Sequence, residues 1–423
     1  MNQEHTTLTY SLFTKKSVTL ECRLMKVWPL HDPALGAALI GMAGLATAMG
    51  IGRFAFTPML PLMQLHNLVS LKQGSYLASA NYVGYLLGAL LLFAFNPAPS
   101  QAAKFGLAAV AASTLAMAFT SSFWPWLVLR LIAGIASAFV LVGVSGWALA
   151  VLAAHDRPGW TGCVFAGVGE GILFAGVAVL VVGAADLAPA VGWIVLGAAA
   201  CCVALAAALL IENAAPSTAA DTITLDVEAS AWRLIICYGA FGFGYIIPAT
   251  FLPAAARSMI SDPTVFGWIW PLFGIAAAIS TVLTSLMLGN LQPRRAWAYG
   301  QLVMAFGVAL PAVQTTLFSI IVSAICVGGT FMVITMAGMQ EARRIATQSA
   351  PRLMAAMTAA FAAGQLVGPL TLTAANSAAE AIRRPSLFAA SVLFITALAL
   401  LPGARPTRQA DQAPGRQRPR SDR

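Results

Sequence analysis

The chain has 423 residues, 59% of them hydrophobic and only 9% charged, with a net charge of +9 and a mean hydropathy of +0.81. Water-soluble domains carry about 25% charged residues, so a soluble fold is excluded, and intrinsic disorder, collagen-like repeats and nucleic-acid binding are excluded with it. The apolar runs between about Pro33 and Pro402 point instead to a polytopic membrane protein whose main partner is the lipid bilayer.

Residues 1–33 form an amino-terminal tail. They lack the apolar core of roughly 7 to 15 residues that a signal peptide needs, so no cleaved leader is expected, and Met25 is a second candidate start. Apolar runs of helix length follow near 34–63, 74–95, 103–122, 125–153, 162–184 and 188–211. None alternates with period two, and a helix satisfies its own backbone hydrogen bonds where water is absent, so helices are predicted rather than barrel strands. Residues 212–230, with Glu212, Asp221, Asp226 and Glu228, are too polar to cross and form a linker. Six further runs lie near 231–256, 264–288, 296–313, 316–339, 353–376 and 386–402, and the basic tail 403–423 is expected to be unfolded. The predicted fold is therefore an all-α polytopic membrane protein, with twelve transmembrane helices in two pseudo-symmetric six-helix bundles, 34–211 and 231–402.

Sliding one half over the other supports this division. At an offset of 192, Gly50, Gly52, Leu60 and Pro61 align with Gly242, Gly244, Leu252 and Pro253, and Arg53 stands opposite Tyr245. This is the pattern of an internal duplication, common among transporter folds. Basic residues set the orientation. With the amino terminus inside, 18 of them, including Lys104, Arg157, Arg294, Arg343 and the tail arginines, fall on the cytoplasmic side, against four outside (Lys72, Arg257, Arg383, Arg384). Both termini are thus expected in the cytoplasm. The six cysteines form no Cys-x-x-Cys pair, and no metal site, disulfide or cofactor is expected.

Among 24 Lys and Arg and 15 Asp and Glu residues, only Arg53, Arg130 and Glu170 fall clearly inside predicted spans. An ionised side chain at the bilayer centre costs at least about 2.5 to 3.5 kcal/mol, so such residues face a cavity or a partner. Arg53 sits in Gly50-Ile51-Gly52-Arg53-Phe54-Ala55-Phe56-Thr57-Pro58, a bendable run, and its forked guanidinium suits a carboxylate. Arg130 leads a ladder of small residues, Gly134 and Ala138, and is expected either to contact substrate or to clamp a neighbouring helix. Glu170, in Gly167-Val168-Gly169-Glu170-Gly171, is the candidate proton-coupling residue, with a fixed ion pair as the structural alternative. Uncharged polar groups inside the spans include Tyr82, Tyr85, Thr250, Trp270, Thr330 and Thr335. Asn81, Tyr245 and Gln365 are the chosen substrate-binding candidates beside the arginines, because amide and phenol groups orient polar ligands.

These residues carry a resemblance over nearly the whole membrane region. The chain resembles major facilitator superfamily transporters and, more narrowly, is similar to the YbfB/YjiJ-type members. The similar stretches are Gly50 to Met63 with Arg53, Leu77-Ala78-Ser79-Ala80-Asn81-Tyr82-Val83-Gly84-Tyr85, Gly242-Phe243-Gly244-Tyr245-Ile246-Ile247-Pro248 and Gly364-Gln365-Leu366-Val367-Gly368-Pro369. The superfamily's fourth-span arginine motif maps onto Arg130 with Gly134. The resemblance implies that spans one, four, seven and ten line a central site. The chain departs from the superfamily between spans two and three, where Asn96 to Lys104 lacks the usual glycine, acid and basic cluster. Its fifth span lacks the Gly-Pro pair of the antiporter motif.

The expected function is secondary active transport of a small polar, carboxylate-bearing or otherwise anionic molecule, coupled to protons, by a monomer in a bacterial inner membrane. A drug or sugar efflux antiporter of the same fold and a non-transporting sensor derived from it are the alternatives. Intramembrane enzyme chemistry is not expected, because His5, His31, His66 and His155 all fall outside the spans and no Walker loop is present.

Overall fold

The computed structural model describes residues 32–212, 229–259, 268–287, 291–314, 316–346, 349–370 and 378–401. Within them the chain forms twelve long helices and no strand. These are α1 (Pro33–Leu65), α2 (Leu71–Phe95), α3 (Pro99–Ala116), α4 (Phe123–Ala154), α5 (Thr161–Ala184) and α6 (Pro189–Leu210) in the first half. The second half contains α7 (Ala229–Met259), α8 (Ile269–Met287), α9 (Pro293–Val313), α10 (Leu317–Ile345), α11 (Ala350–Leu370) and α12 (Ala378–Leu400). Eleven of the described helices are long and apolar enough to cross a membrane. The amino-terminal tail up to residue 31, residues 213–228 of the linker and the basic tail lie outside the described residues, as do the side chains of Thr250, Leu252 and Pro253.

Local chemistry sets the helix ends. Pro33, Pro99, Pro189 and Pro293 stand in the first turns of α1, α3, α6 and α9, where a missing N–H costs nothing. Ser70 and Gln73 close a capping box at the start of α2. Asn67, Asn96, Asp156 and Asp186 take positive φ just after α1, α2, α4 and α5, the left-handed turn that short polar side chains tolerate.

The packing repeats from half to half. The pairs α2–α4, α3–α4, α3–α6 and α1–α5 correspond to α8–α10, α9–α10, α9–α12 and α7–α11. Small residues permit these approaches: a side chain on Gly134 of α4 would collide with the backbone of Asn81 in α2. The halves meet along α5–α8 and α2–α11. On the first seam Gly169 and Gly274 lie backbone to backbone, and a Cβ on either would overlap the other helix. Near the end of the molecule where α11 begins, the guanidinium of Arg352 lies 5.0 Å from the ring of Phe93, so the halves also touch there.

Candidate functional site

The middle of α1, Ala46–Phe54, winds as a π-helix before α-helical geometry resumes at Phe56. Pro58 has no N–H to give the carbonyls four and five residues before it, those of Phe54 and Arg53, so the backbone here needs donors from elsewhere. Arg130 supplies one of them from α4, to Arg53, and adds a second bond to Gly52. Its Nη1 donates to the Gly52 carbonyl at 3.0 Å and its Nη2 to the Arg53 carbonyl at 3.3 Å, while its guanidinium carbon lies 4.6 Å from the ring centre of Phe56. Asn81 of α2 joins the same clamp, its Nδ2 donating to the Arg130 carbonyl at 3.1 Å and, at a longer 3.4 Å, to Gly52. Ser137, further along α4, donates to the Ala48 carbonyl at 2.9 Å.

Held by that clamp, Arg53 projects to the meeting place of the two halves. It is 4% exposed. Its guanidinium carbon stacks 3.9 Å from the ring centre of Tyr85 and lies 5.6 Å from Tyr82 and 5.7 Å from Phe54. Its Nη2 donates across the interface to Oε1 of Gln365 on α11 at 2.5 Å, whereas Nε and Nη1 have no hydrogen-bond partner. No carboxylate pairs with Arg53 or Arg130 among the described residues. The guanidinium borders a cavity of about 10 Å3, room for about one water. Tyr85, Tyr238, Tyr245, Phe331, Thr335 and Phe361 form much of its wall. Tyr245 stacks on Phe331 with centroids 5.3 Å apart and 20° between planes, and lies 6.3 Å from Phe361.

Four of the six sequence candidates thus have a place in or beside one interface. Arg53 and Tyr245, equivalent positions in the repeat, face the same cavity; Gln365 bonds to Arg53; and Asn81 supports Arg53 from behind. Arg130 is placed differently from the substrate-contact expectation. It is the clamp, with two of its nitrogens committed to α1 carbonyls, and it does not line the cavity.

Glu170 requires a correction. It lies on the exposed side of α5 with no hydrogen bond or ion pair among the described residues, and shares that side with Phe174, 42% exposed, and Val181, 61% exposed. The flanking glycines explain this. Gly167 and Gly171 pack on α1, and Gly162 and Gly169 on α8, so the intervening azimuth carrying Glu170 is turned outward.

Several wall residues escape sequence reasoning. Tyr85 is visible one turn after Asn81, but Tyr238, Phe331 and Phe361 look like ordinary span aromatics. Glu341, 1% exposed, is also missed, because the tenth span is predicted to end at 339; α10 runs on to Ile345, and Arg344 grips Glu341 through Nε and Nη2 at 2.8 Å each.

The comparisons agree with this architecture. A family model described as an uncharacterised MFS-type transporter, YbfB, matches residues 45–401. Among solved structures, the human organic anion transporter MFSD10 (TETRAN) superposes with a TM-score of 0.66 at 12% identity, over 88% of this chain and 100% of that one. At that identity the likeness concerns the fold. No curated protein sequence matches.

Proposed function

Because the chain belongs to the major facilitator superfamily, in its family of YbfB-type transporters, we propose that it is a secondary active transporter carrying a small anionic molecule by alternating access. That it is a multi-pass membrane transporter of a small molecule, and no enzyme, follows from the family. The anionic class rests on one observation: among the described residues, Arg53 is buried at the interface of the halves with Nε and Nη1 unpartnered and no carboxylate paired with it. A cation in that position is stabilised by a bound anion. MFSD10, which shares the fold, is itself an organic anion transporter, in keeping with this class.

Asn81 and Arg130 position Arg53 by holding the backbone of α1, Tyr245 lines the opposite wall, and Gln365 ties Arg53 to the second half. The excess of basic residues at one face supports a bacterial inner membrane with both termini cytoplasmic. In that orientation the contact of Arg352 with Phe93 belongs to the cytoplasmic barrier. Each copy carries a whole site, as a monomeric transporter requires. Proton coupling through Glu170 is not part of this proposal, since its side chain is turned away from the cavity.

The test is uptake into proteoliposomes over a panel of organic acids and their neutral amides. Arg53→Ala should lower uptake of the acids by about tenfold or more, the worth of a charge-assisted hydrogen bond, and leave amide uptake unchanged. Equal losses for acids and amides would remove the anion preference. Saturable binding without flux would favour a sensor.

A further inference from the structure

We propose that the substrate is a small hydroxycarboxylate, its carboxylate held by Arg53 of the first half and its hydroxyl by the phenols of Tyr245 and Tyr82. This rests on the transport proposal above and adds the second group that the site reads.

A phenol without a partner carries the argument. Buried tyrosines in apolar surroundings normally pair their hydroxyl. On the cavity wall Tyr238 does so, with Thr335. Tyr245 does not: it is 2% exposed, lines the same cavity, and its phenol makes no hydrogen bond among the described residues. That phenol lies within electrostatic range of the Tyr82 phenol and of the Arg53 guanidinium. Tyr82 belongs to α2, with its ring 5.6 Å from the guanidinium carbon, and its phenol likewise makes no hydrogen bond among the described residues. Two unpaired phenols, one from each half, thus neighbour a guanidinium whose Nε and Nη1 are unpartnered.

Chemistry then selects the ligand. A carboxylate suits the guanidinium with Gln365 left in place, because Nη2 carries two hydrogens and the Gln365 oxygen takes one, so a bidentate edge stays open. A hydroxyl both donates and accepts, so a single hydroxyl on the substrate can accept from one phenol and donate to the other. A second carboxylate would need a second cation, and Arg53 is the one charged residue on the cavity wall among the described residues. Met49, Leu141, Met332 and Phe361 on that wall offer apolar contact to a short carbon skeleton. Arg53 and Tyr245 stand on opposite halves, so one bound molecule engages both, and binding favours the state in which the halves are close.

Calorimetric titration of the full chain in lipid nanodiscs pairs lactate with propionate and 3-hydroxybutyrate with butyrate, so that each comparison differs by one hydroxyl. On wild type at least one hydroxy acid should bind about tenfold tighter than its counterpart, the worth of a hydrogen bond to an otherwise unpaired group. Tyr245→Phe, which removes one oxygen and keeps the ring, should bring that ratio to within about twofold of unity, and Tyr82→Phe should lower it as well. A purely structural role for Tyr245 would change both members of a pair together and leave the ratio untouched. A wild-type ratio near unity for both pairs, a wild-type ratio retained in Tyr245→Phe, or failure of all four acids to bind overturns the proposal. The transport proposal is judged separately, by the selective loss of acid over amide uptake in Arg53→Ala, and it stands if that loss is seen while the hydroxyl makes no difference.

Discussion

The two halves share a packing plan but contribute opposite chemistry to their common interface. The first half brings cations and donors: Arg53, Arg130, Asn81 and Ser137 lie within one network around a π-wound stretch of α1. The second half brings rings, Tyr238, Tyr245, Phe331 and Phe361, and a single amide contact to Arg53, from Gln365. At the positions related by the repeat, Arg53 meets Tyr245. The two halves thus share their helix pairs while one holds charge and the other forms an apolar wall. Burial does not separate the roles, since Arg53 and Arg130 are both 4% exposed. Their partners do: Arg130 commits Nη1 and Nη2 to backbone carbonyls, whereas Arg53 keeps Nε and Nη1 unpartnered beside the cavity.

The contrast between the two arginines is sharpest under substitution. Arg130→Ala leaves the carbonyls of Gly52 and Arg53 without these donors, at roughly 1 to 3 kcal/mol each, so a loss of about 2 to 6 kcal/mol in unfolding free energy is expected. Lysine should rescue poorly, because a single ammonium lacks the fork that spans both carbonyls. Uptake of anionic and neutral compounds should fall together, unlike the selective loss at Arg53. Denaturant unfolding and paired uptake assays check both parts, and a charge-selective effect at Arg130 would make it a substrate residue instead.

Much of this arrangement is legible in the sequence because it follows from the cost of charge and backbone in lipid. Helix-length apolar runs give the twelve helices, and the rarity of intramembrane charge singles out Arg53 and Arg130. What the sequence does not readily give is azimuth. Glu170 carries the same alarm as the arginines, yet faces outward. The signal lies in its neighbours: Gly162, Gly169 and Gly176 recur every seventh residue as one packing edge, and Gly167 and Gly171 form a second edge, leaving Glu170 between them. Glu341 is hidden for another reason, since Arg344 next to it makes the end of α10 read as loop although the pair continues the helix. The aromatic wall is legible only in part, because Phe and Tyr serve lipid-facing and cavity-facing roles with the same composition.

A smaller effect tests the wall. Tyr245 contributes an aromatic stack worth about 0.5 to 1.5 kcal/mol beyond its area, so Tyr245→Leu should weaken aromatic acids by about two- to tenfold. Aliphatic acids should be affected less, and Tyr245→Phe should keep most of the affinity for aromatic acids. Competition binding with matched aromatic and aliphatic acids makes the comparison. Equal losses for both would mean that Tyr245 shapes the cavity without stacking on its contents.

The smallest effect is expected at Glu170. Its side chain has no partner among the described residues and stands with Phe174 and Val181 on the outer side of α5. Glu170→Gln should change stability by no more than about 0.5 kcal/mol, as at other exposed sites without special contacts. Uptake and its pH profile should match wild type, since the packing edges of Gly167 with Gly171 and of Gly162 with Gly169 stand on either side of Glu170 and its side chain does not line the cavity. A shifted pH profile in the glutamine variant would overturn that separation and require the outer face of α5 to communicate with Arg53, most directly through the α1–α5 seam that carries Gly50 and Gly171.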